Sequence, residues 1–273
     1  MATPTLILVD NGSRRPTAIF SLRRLAASLS TRIGLPVHPV SLLHADRIPP
    51  PELGDRPALT FEPFLRQRLA LGDRDFVVAP LFFGISKALT GFIPETVASL
   101  KKELGDFDLC RAEPLCPLPR GEPRLVDILH DNLRLATDGR IPTRVVLVDH
   151  GSPSPGVTAV RRHLAEGLRE RLGHVIELTE AVMERRQGPE YDFNGPLLEQ
   201  ALEQMGRRDS ANPIALSMLF VSPGRHAGPG GDIEQICTRV QRPYPNLRIQ
   251  VSPLVGEHPG LVDILETRSR ACL

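Results

Sequence analysis

Apolar residues run along this chain in two alternating rhythms. Residues 6–9 and 76–83 are apolar at nearly every position, the pattern of strands covered on both faces, and 37–43 and 109–115 read as two further strands. Between them the spacing changes to helical periodicity: 19–33 (Leu22, Leu25, Ala26, Leu29), 61–71 (Phe64, Leu65, Leu69), 93–104 with Pro94 in its first turn, and 125–135. The series then begins again, with strands expected at 145–148, 175–183, 214–221 and 247–251. The matching helices are expected at 157–172, 196–205, 232–240 and 261–267. Strands alternating with helices predict the α/β class, a parallel sheet with helices on both faces. Two such series predict two similar Rossmann-like domains, 1–138 and 143–273. The link between them falls at 137–143, where Gly139 and Pro142 punctuate the chain. The proline-rich run 48–57 is expected to be an inserted surface loop.

The second series is a copy of the first. Thr5-Leu6-Ile7-Leu8-Val9-Asp10-Asn11-Gly12-Ser13 returns as Arg144-Val145-Val146-Leu147-Val148-Asp149-His150-Gly151-Ser152. Leu125-Val126-Asp127-Ile128-Leu129 returns as Leu261-Val262-Asp263-Ile264-Leu265. A repeat of this period marks a duplicated structural unit. Only the later copy carries histidines at the key places. Asn11 stands where the second copy has His150, and Ala88 where it has His226.

Composition narrows the function classes. With 273 residues the chain is long enough for two domains of about 130 each. A net charge of +1 argues against a dedicated binder of nucleic acid or of a membrane surface. No apolar run approaches the roughly 20 residues of a membrane span, and the first residues lack the pattern of a signal peptide. The four cysteines form no CxxC pair and are too few for a disulfide scaffold. They read as reduced thiols of a cytoplasmic protein.

Asn11, Ala88, His150 and His226 all follow closely on expected strands, at the carboxyl edge where open α/β sheets bind ligands. In the second copy His150 ends the first strand, Glu184 ends the second, and His226 follows the third. They are far apart in the chain, but neighbouring ends of a parallel sheet lie about 5 Å apart. Two imidazoles and a carboxylate suit a divalent first-row metal, and the same groups can accept protons near neutrality. Glu180 and Glu190 compete with Glu184 as the acidic member, because the segment 184–194 is unusually long. In the first copy the matching positions read as Asn11, His44 and Ala88, which predicts one site per chain. The conserved-looking pair Asp10 and Asp149 is expected to cap the turn that follows each. The loop 227–231 is read as a lid or a plain turn.

At these residues the chain resembles the class II chelatases of tetrapyrrole biosynthesis, in particular the sirohydrochlorin cobalto- and ferrochelatases of the long, two-repeat type. The matching pieces are Leu147-Val148-Asp149-His150-Gly151-Ser152, Glu184, and Phe220-Val221-Ser222-Pro223-Gly224-Arg225-His226. Asp232-Ile233 and Pro253-Leu254-Val255-Gly256-Glu257-His258-Pro259 complete them. The resemblance implies a chelatase-like fold and insertion of a divalent metal into sirohydrochlorin or a related ring. Cobalt or ferrous iron would be the substrate ion, with nickel as a further option, and no nucleotide or redox cofactor would be needed. It maps the metal ligands and proton acceptors onto His150, His226 and Glu184. Arginines at the loop edges (Arg14, Arg15, Arg185, Arg186, Arg225) and Ser152 are the groups expected to meet the ring's carboxylates. Among these Arg225, Ser152 and Arg185 are the first choices.

Two other functions fit parts of the pattern. A carrier that kept the site without turnover would carry the same residues. The run Gly224-Arg225-His226-Ala227 also resembles a histidine phosphatase motif, but there the Arg-His pair follows the first strand and here it follows the third. The oligomeric state is not legible in the sequence.

Overall fold

The computed structural model describes residues 3–273. Its contacts divide the chain into two compact units. One comprises Met1–Pro117 together with Val262–Leu273, the other Leu118–Leu261.

The first unit runs β1 (Thr5–Asp10), α1 (Pro16–Ile33), β2 (Val37–Ser41), β3 (Leu59–Thr60), α2 (Phe61–Ala70), β4 (Asp75–Pro80), α3 (Ile93–Leu104) and β5 (Asp108–Arg111). Its sheet has the order β3-β2-β1-β4-β5, and every pairing is parallel. The second unit contains α4 (Pro123–Ala136), β6 (Arg144–Asp149), α5 (Pro155–Leu172), β7 (Glu177–Val182), α6 (Leu198–Arg208), β8 (Ile214–Met218), α7 (Asp232–Gln241) and β9 (Ile249–Val251). Its sheet has the order β7-β6-β8-β9, again all parallel. The last helix is α8 (Gly260–Arg270).

The apolar runs become the central strands because both of their faces are covered. Leu6 to Val9 and Val145 to Val148 have no solvent exposure. Val146 and Val148 meet α6 and α7 through Leu198, Leu202, Ile233 and Val240, while α4 packs on β8 and α5 on β7. In the first unit Ile7, Val9 and Val78 meet Phe61, Phe64, Leu65, Ile93 and Leu100 of α2 and α3. Burying side chains of this size is worth about 1.5–3 kcal/mol each, so the strand positions are set by hydrophobic burial.

Two expectations need correction. The first concerns the domain boundary. Helix α4, expected to close 1–138, belongs to the second unit, where Asn132 Nδ2 donates to the carbonyls of Pro253 and Leu254. From Val262 onward α8, expected to close 143–273, belongs to the first unit. Arg32 of α1 pairs with Asp263 and Glu266, and Arg268 Nε donates to the carbonyl of Pro114. The two copies have exchanged their closing helices, which periodicity alone cannot reveal.

The second correction concerns the thiols. Cys110 of β5 and Cys272 after α8 form a disulfide across 162 residues of sequence, whereas Cys116 and Cys237 are buried. A pair so distant in sequence leaves no local spacing signal. The segment 48–57 lies at the surface, as expected, and carries one 3-10 turn (Pro50–Leu53) ahead of β3. Ile48 and Leu53 are buried against Ile19 and Ala45, and Arg23 donates to the carbonyls of Leu53 and Arg56. Among the described residues no helix is long and apolar enough to cross a membrane.

Candidate metal centre

The turn after β6 is built around Gly151. Its φ is 87°, and a Cβ placed there would stand 1.9 Å from the carbonyl oxygen of Glu184. Only glycine lets the two chain segments lie this close. Glu184 N donates to the carbonyl of His150 at 2.9 Å, so the ends of β6 and β7 are tied side by side. His226 arrives from the loop after β8, and its amide carbonyl accepts from Ile233 N at the start of α7.

His150, Glu184 and His226 each bring one donor atom to a cluster in which these atoms lie within 4.8 Å of one another. The two imidazole rings are 4.7 Å apart, centroid to centroid, and perpendicular. Glu184 Oε1 is 3.4 Å from His226 Nε2. His226 is 7% exposed, while the Glu184 side chain is half exposed. His226 is therefore fixed by packing, and the Glu184 carboxylate is free to move.

The other nitrogen of His226, Nδ1, lies 2.8 Å from Asp232 Oδ2. That bond favours the tautomer with its proton on Nδ1 and leaves the Nε2 lone pair facing the Glu184 carboxylate. Two lone pairs at this distance repel unless a positive charge stands between them. Metal bonds of 2.0–2.2 Å in a tetrahedral site give ligand edges of about 3.3–3.6 Å, so the 3.4 Å gap suits a shared ion. Arg225, largely exposed, lies 3.2 Å from Asp232 Oδ2 and 3.6 Å from Glu184 Oε1, where it offsets the two carboxylates.

The competing carboxylates are elsewhere. Glu180 pairs with Arg161 and Arg169, and Glu190 lies exposed in a 3-10 turn outside the cluster. Arg185 is near the site but engaged with Asp192 and the carbonyl of Gly195. Arg186 lies over the ring of Tyr191. Ser152 Oγ accepts from Ser154 N in a tight turn and keeps its own proton to donate. His258 Nδ1 accepts from Gly260 N, away from the cluster. Beside His226 a groove of about 470 Å³ opens, walled by Met218, Ile233, Cys237, Ile249 and Leu254, with Glu234 and Glu257 also lining it.

Equivalent hydrogen bonds fix the register between the two copies. Leu42 N donates to Asp10 O as Met183 N does to Asp149 O. A Cβ on Gly12 would strike the carbonyl of Leu43, as one on Gly151 would strike that of Glu184. Leu43, not His44, is thus the counterpart of Glu184, and the first copy reads Asn11, Leu43 and Ala88. Two further residues carry weight that the sequence did not signal, Arg161 and Asn194, and Asp232, named there only as part of the resemblance, gains a partner in His226. Asp149 Oδ1 accepts from Gly151 N, as expected of a turn cap, but it also meets the buried Arg161 at 2.8 Å. Burial pushes the Asp149 carboxyl above its ordinary range, while Arg161 opposes that rise.

Residues 144–272 match the CbiX family model. This stretch, the second copy of the repeat, is what resembles that family. No curated protein sequence matches the chain. Among solved structures it is similar to SirB from Bacillus subtilis with Fe3+ (TM-score 0.70, 19% identity, 99% of this chain and 96% of that one). It is also similar to the sirohydrochlorin chelatase SirB from Bacillus subtilis subspecies spizizenii in complex with cobalt (TM-score 0.67, 16% identity, 99% and 95%). A third likeness is to CbiX, described as the terminal enzyme for biosynthesis of siroheme in denitrifying bacteria (TM-score 0.62, 16% identity, 99% and 100%). At these identities the likeness is one of fold, and the chain has the chelatase-like α/β fold that the resemblance implied.

Proposed function

We propose that this protein is a metal chelatase that inserts a divalent ion, cobalt or ferrous iron, into sirohydrochlorin or a closely related tetrapyrrole. The observation that carries this reading is the convergence of His150, Glu184 and His226 at one sheet edge of the half that resembles the CbiX family. The copy with the same fold but Asn11, Leu43 and Ala88 at those positions lacks every ligand. SirB, which shares the fold, is known with Fe3+ and with cobalt, which supports the choice of ions. Nickel suits the same donors, since affinity among these ions is set by availability and geometry as much as by ligand type.

Insertion exchanges two pyrrole N–H protons for one M2+. His226, buried and held by Asp232, is the ligand that keeps the ion in place. His150 and Glu184, both exposed, are the ligands that can let go in turn as pyrrole nitrogens take their places. Each released group can then accept a departing pyrrole proton. The substrate's carboxylates would be met on the arginine side of the site by Arg225 and Arg185, with Ser152 as a neutral donor. Glu234 and Glu257 make the neighbouring groove unfavourable for those carboxylates but leave its apolar wall open to a ring face.

The test is turnover. Purified protein given Co2+ and a large excess of sirohydrochlorin should convert many equivalents, followed by the change in ring absorbance. His226→Ala should reduce the rate to background. Conversion that stops at one equivalent would identify a carrier instead.

A further inference from the structure

A buried polar network lies directly behind His150. Arg161 of α5 is 2% exposed, and its guanidinium is fully committed. Nη1 donates to Asp149 Oδ1 at 2.8 Å, Nε to Glu180 Oε2 at 3.2 Å, and Nη2 to the carbonyl of Asn194 at 2.7 Å. Asn194 has no solvent exposure and spends its whole amide in turn. Its Oδ1 accepts from Ser152 N at 3.0 Å and from Thr158 Oγ1 at 3.3 Å. Its Nδ2 donates to the carbonyls of Ser152 at 2.9 Å and Tyr191 at 3.1 Å. His150 therefore sits between a residue pinned by Arg161 and a residue pinned by Asn194.

The first copy is an internal control. Helices α1 and α5 both span 18 residues and both begin with proline, so Leu22 occupies the place of Arg161. Strand register puts Pro39 in the place of Glu180. Asp10, the counterpart of Asp149, is buried with its Oδ1 unpartnered. That copy folds with the same sheet core and without the network, so the fold does not require it. The network accompanies the copy that holds the histidines.

We propose that Arg161 and Asn194 are positioning residues that hold the His150 turn in the geometry needed to share an ion with His226. The proposal rests on the reading of His150 as a metal ligand. It also gives a reason for the long segment after β7: the segment brings Asn194 back against the β6 turn.

The test is a Co2+ titration of the full chain, read by the visible bands of the bound ion. Asn194→Ala should weaken cobalt binding about 10- to 100-fold, the range seen when support around a metal ligand is lost. A double-mutant cycle separates positioning from general stability. His150→Ala should cost much affinity in the wild-type background and little in the Asn194→Ala background. Thr158→Val, which spares the Ser152 bonds, should leave binding within a few fold of wild type. If Asn194→Ala does not fold, Arg161→Lys takes its place, because a point charge can hold Asp149 but cannot span all three acceptors. Unchanged cobalt affinity in a folded Asn194 or Arg161 variant, or an undiminished His150→Ala penalty in that background, overturns the proposal while leaving the ligand reading intact. Cobalt affinity that is insensitive to His150→Ala in the wild-type background overturns both.

Discussion

Nδ1 of His226 lies 2.8 Å from Asp232 Oδ2, and that single bond decides which nitrogen of the ring faces Glu184 and His150. A histidine that ligates a metal commonly spends its second nitrogen on a carboxylate, which fixes ring orientation and raises basicity. Asp232→Asn keeps the size of the side chain but presents an amide that no longer enforces the tautomer. We expect about 10- to 100-fold weaker Co2+ binding with little change in melting temperature. Wild-type affinity in Asp232→Asn, measured by the same titration, would remove Asp232 from the account.

Asp10 gives a pH prediction in the half of the chain without the site. Burial pushes its carboxyl up from 3.8 to about 6, with the neighbouring Ser41 hydroxyl and Gly12 amide opposing the rise. The folded state thus holds a proton that the unfolded chain loses. Stability from this group is fully present below pH 3.8 and is lost as pH rises through about 6. Asp10→Asn removes that loss. Relative to wild type it should gain on the order of 3 kcal/mol between pH 4 and pH 7 in urea unfolding. A stability difference that stays flat with pH would show that Asp10 ionises normally.

The exchanged helices predict where the chain can be cut. A fragment of residues 118–261 contains every element of the second unit, including α4 and all three candidate ligands. It should fold alone and bind one Co2+. A fragment of residues 143–273, cut where the sequence repeat ends, lacks α4 and exposes the apolar surface that Leu125, Ile128, Leu129 and Leu133 cover. It should be poorly folded by circular dichroism. Cooperative unfolding of the second fragment and not the first would refute the exchange.

The Cys110–Cys272 bridge ties the end of the chain to β5 across 162 residues. A cross-link closing a loop of that length stabilises mainly by limiting the unfolded chain, typically by about 2–4 kcal/mol. Cys272→Ser should lower the melting temperature of the oxidised protein, and a thiol reductant should lower wild type to the same value. Identical melting of wild type with and without reductant would contradict this.

Much of the fold was legible because its signals are local. Continuous apolar runs such as 6–9 and 145–148 can be satisfied only by strands covered on both faces, and the intervening periodicity gave the helices to within a few residues. β3 escaped notice because it is two residues long and takes its place from pairing with Val40 and Ser41. The exchange of α4 and α8 and the disulfide depend on contacts between distant segments, and repeat boundaries point the other way. His150 and His226 stood out because the other copy provides a blank at each position. Arg161 and Asn194 did not stand out, and Asp232 did so only through the resemblance, since each is a common polar residue whose meaning comes from what it faces after folding. The odd length of 184–194 was visible in sequence, but its use was not, because that depends on Asn194 reaching Ser152.

The central claim is that His150, Glu184 and His226 share one ion. The most direct measurement is a crystal structure of the protein soaked with Co2+, with the ion located by its anomalous scattering. The account predicts a single strong peak in the second unit, within about 2.0–2.3 Å of His226 Nε2, a nitrogen of His150 and a carboxylate oxygen of Glu184. Cobalt bound elsewhere, or bound to only one of the two imidazoles with the other turned away, would contradict it.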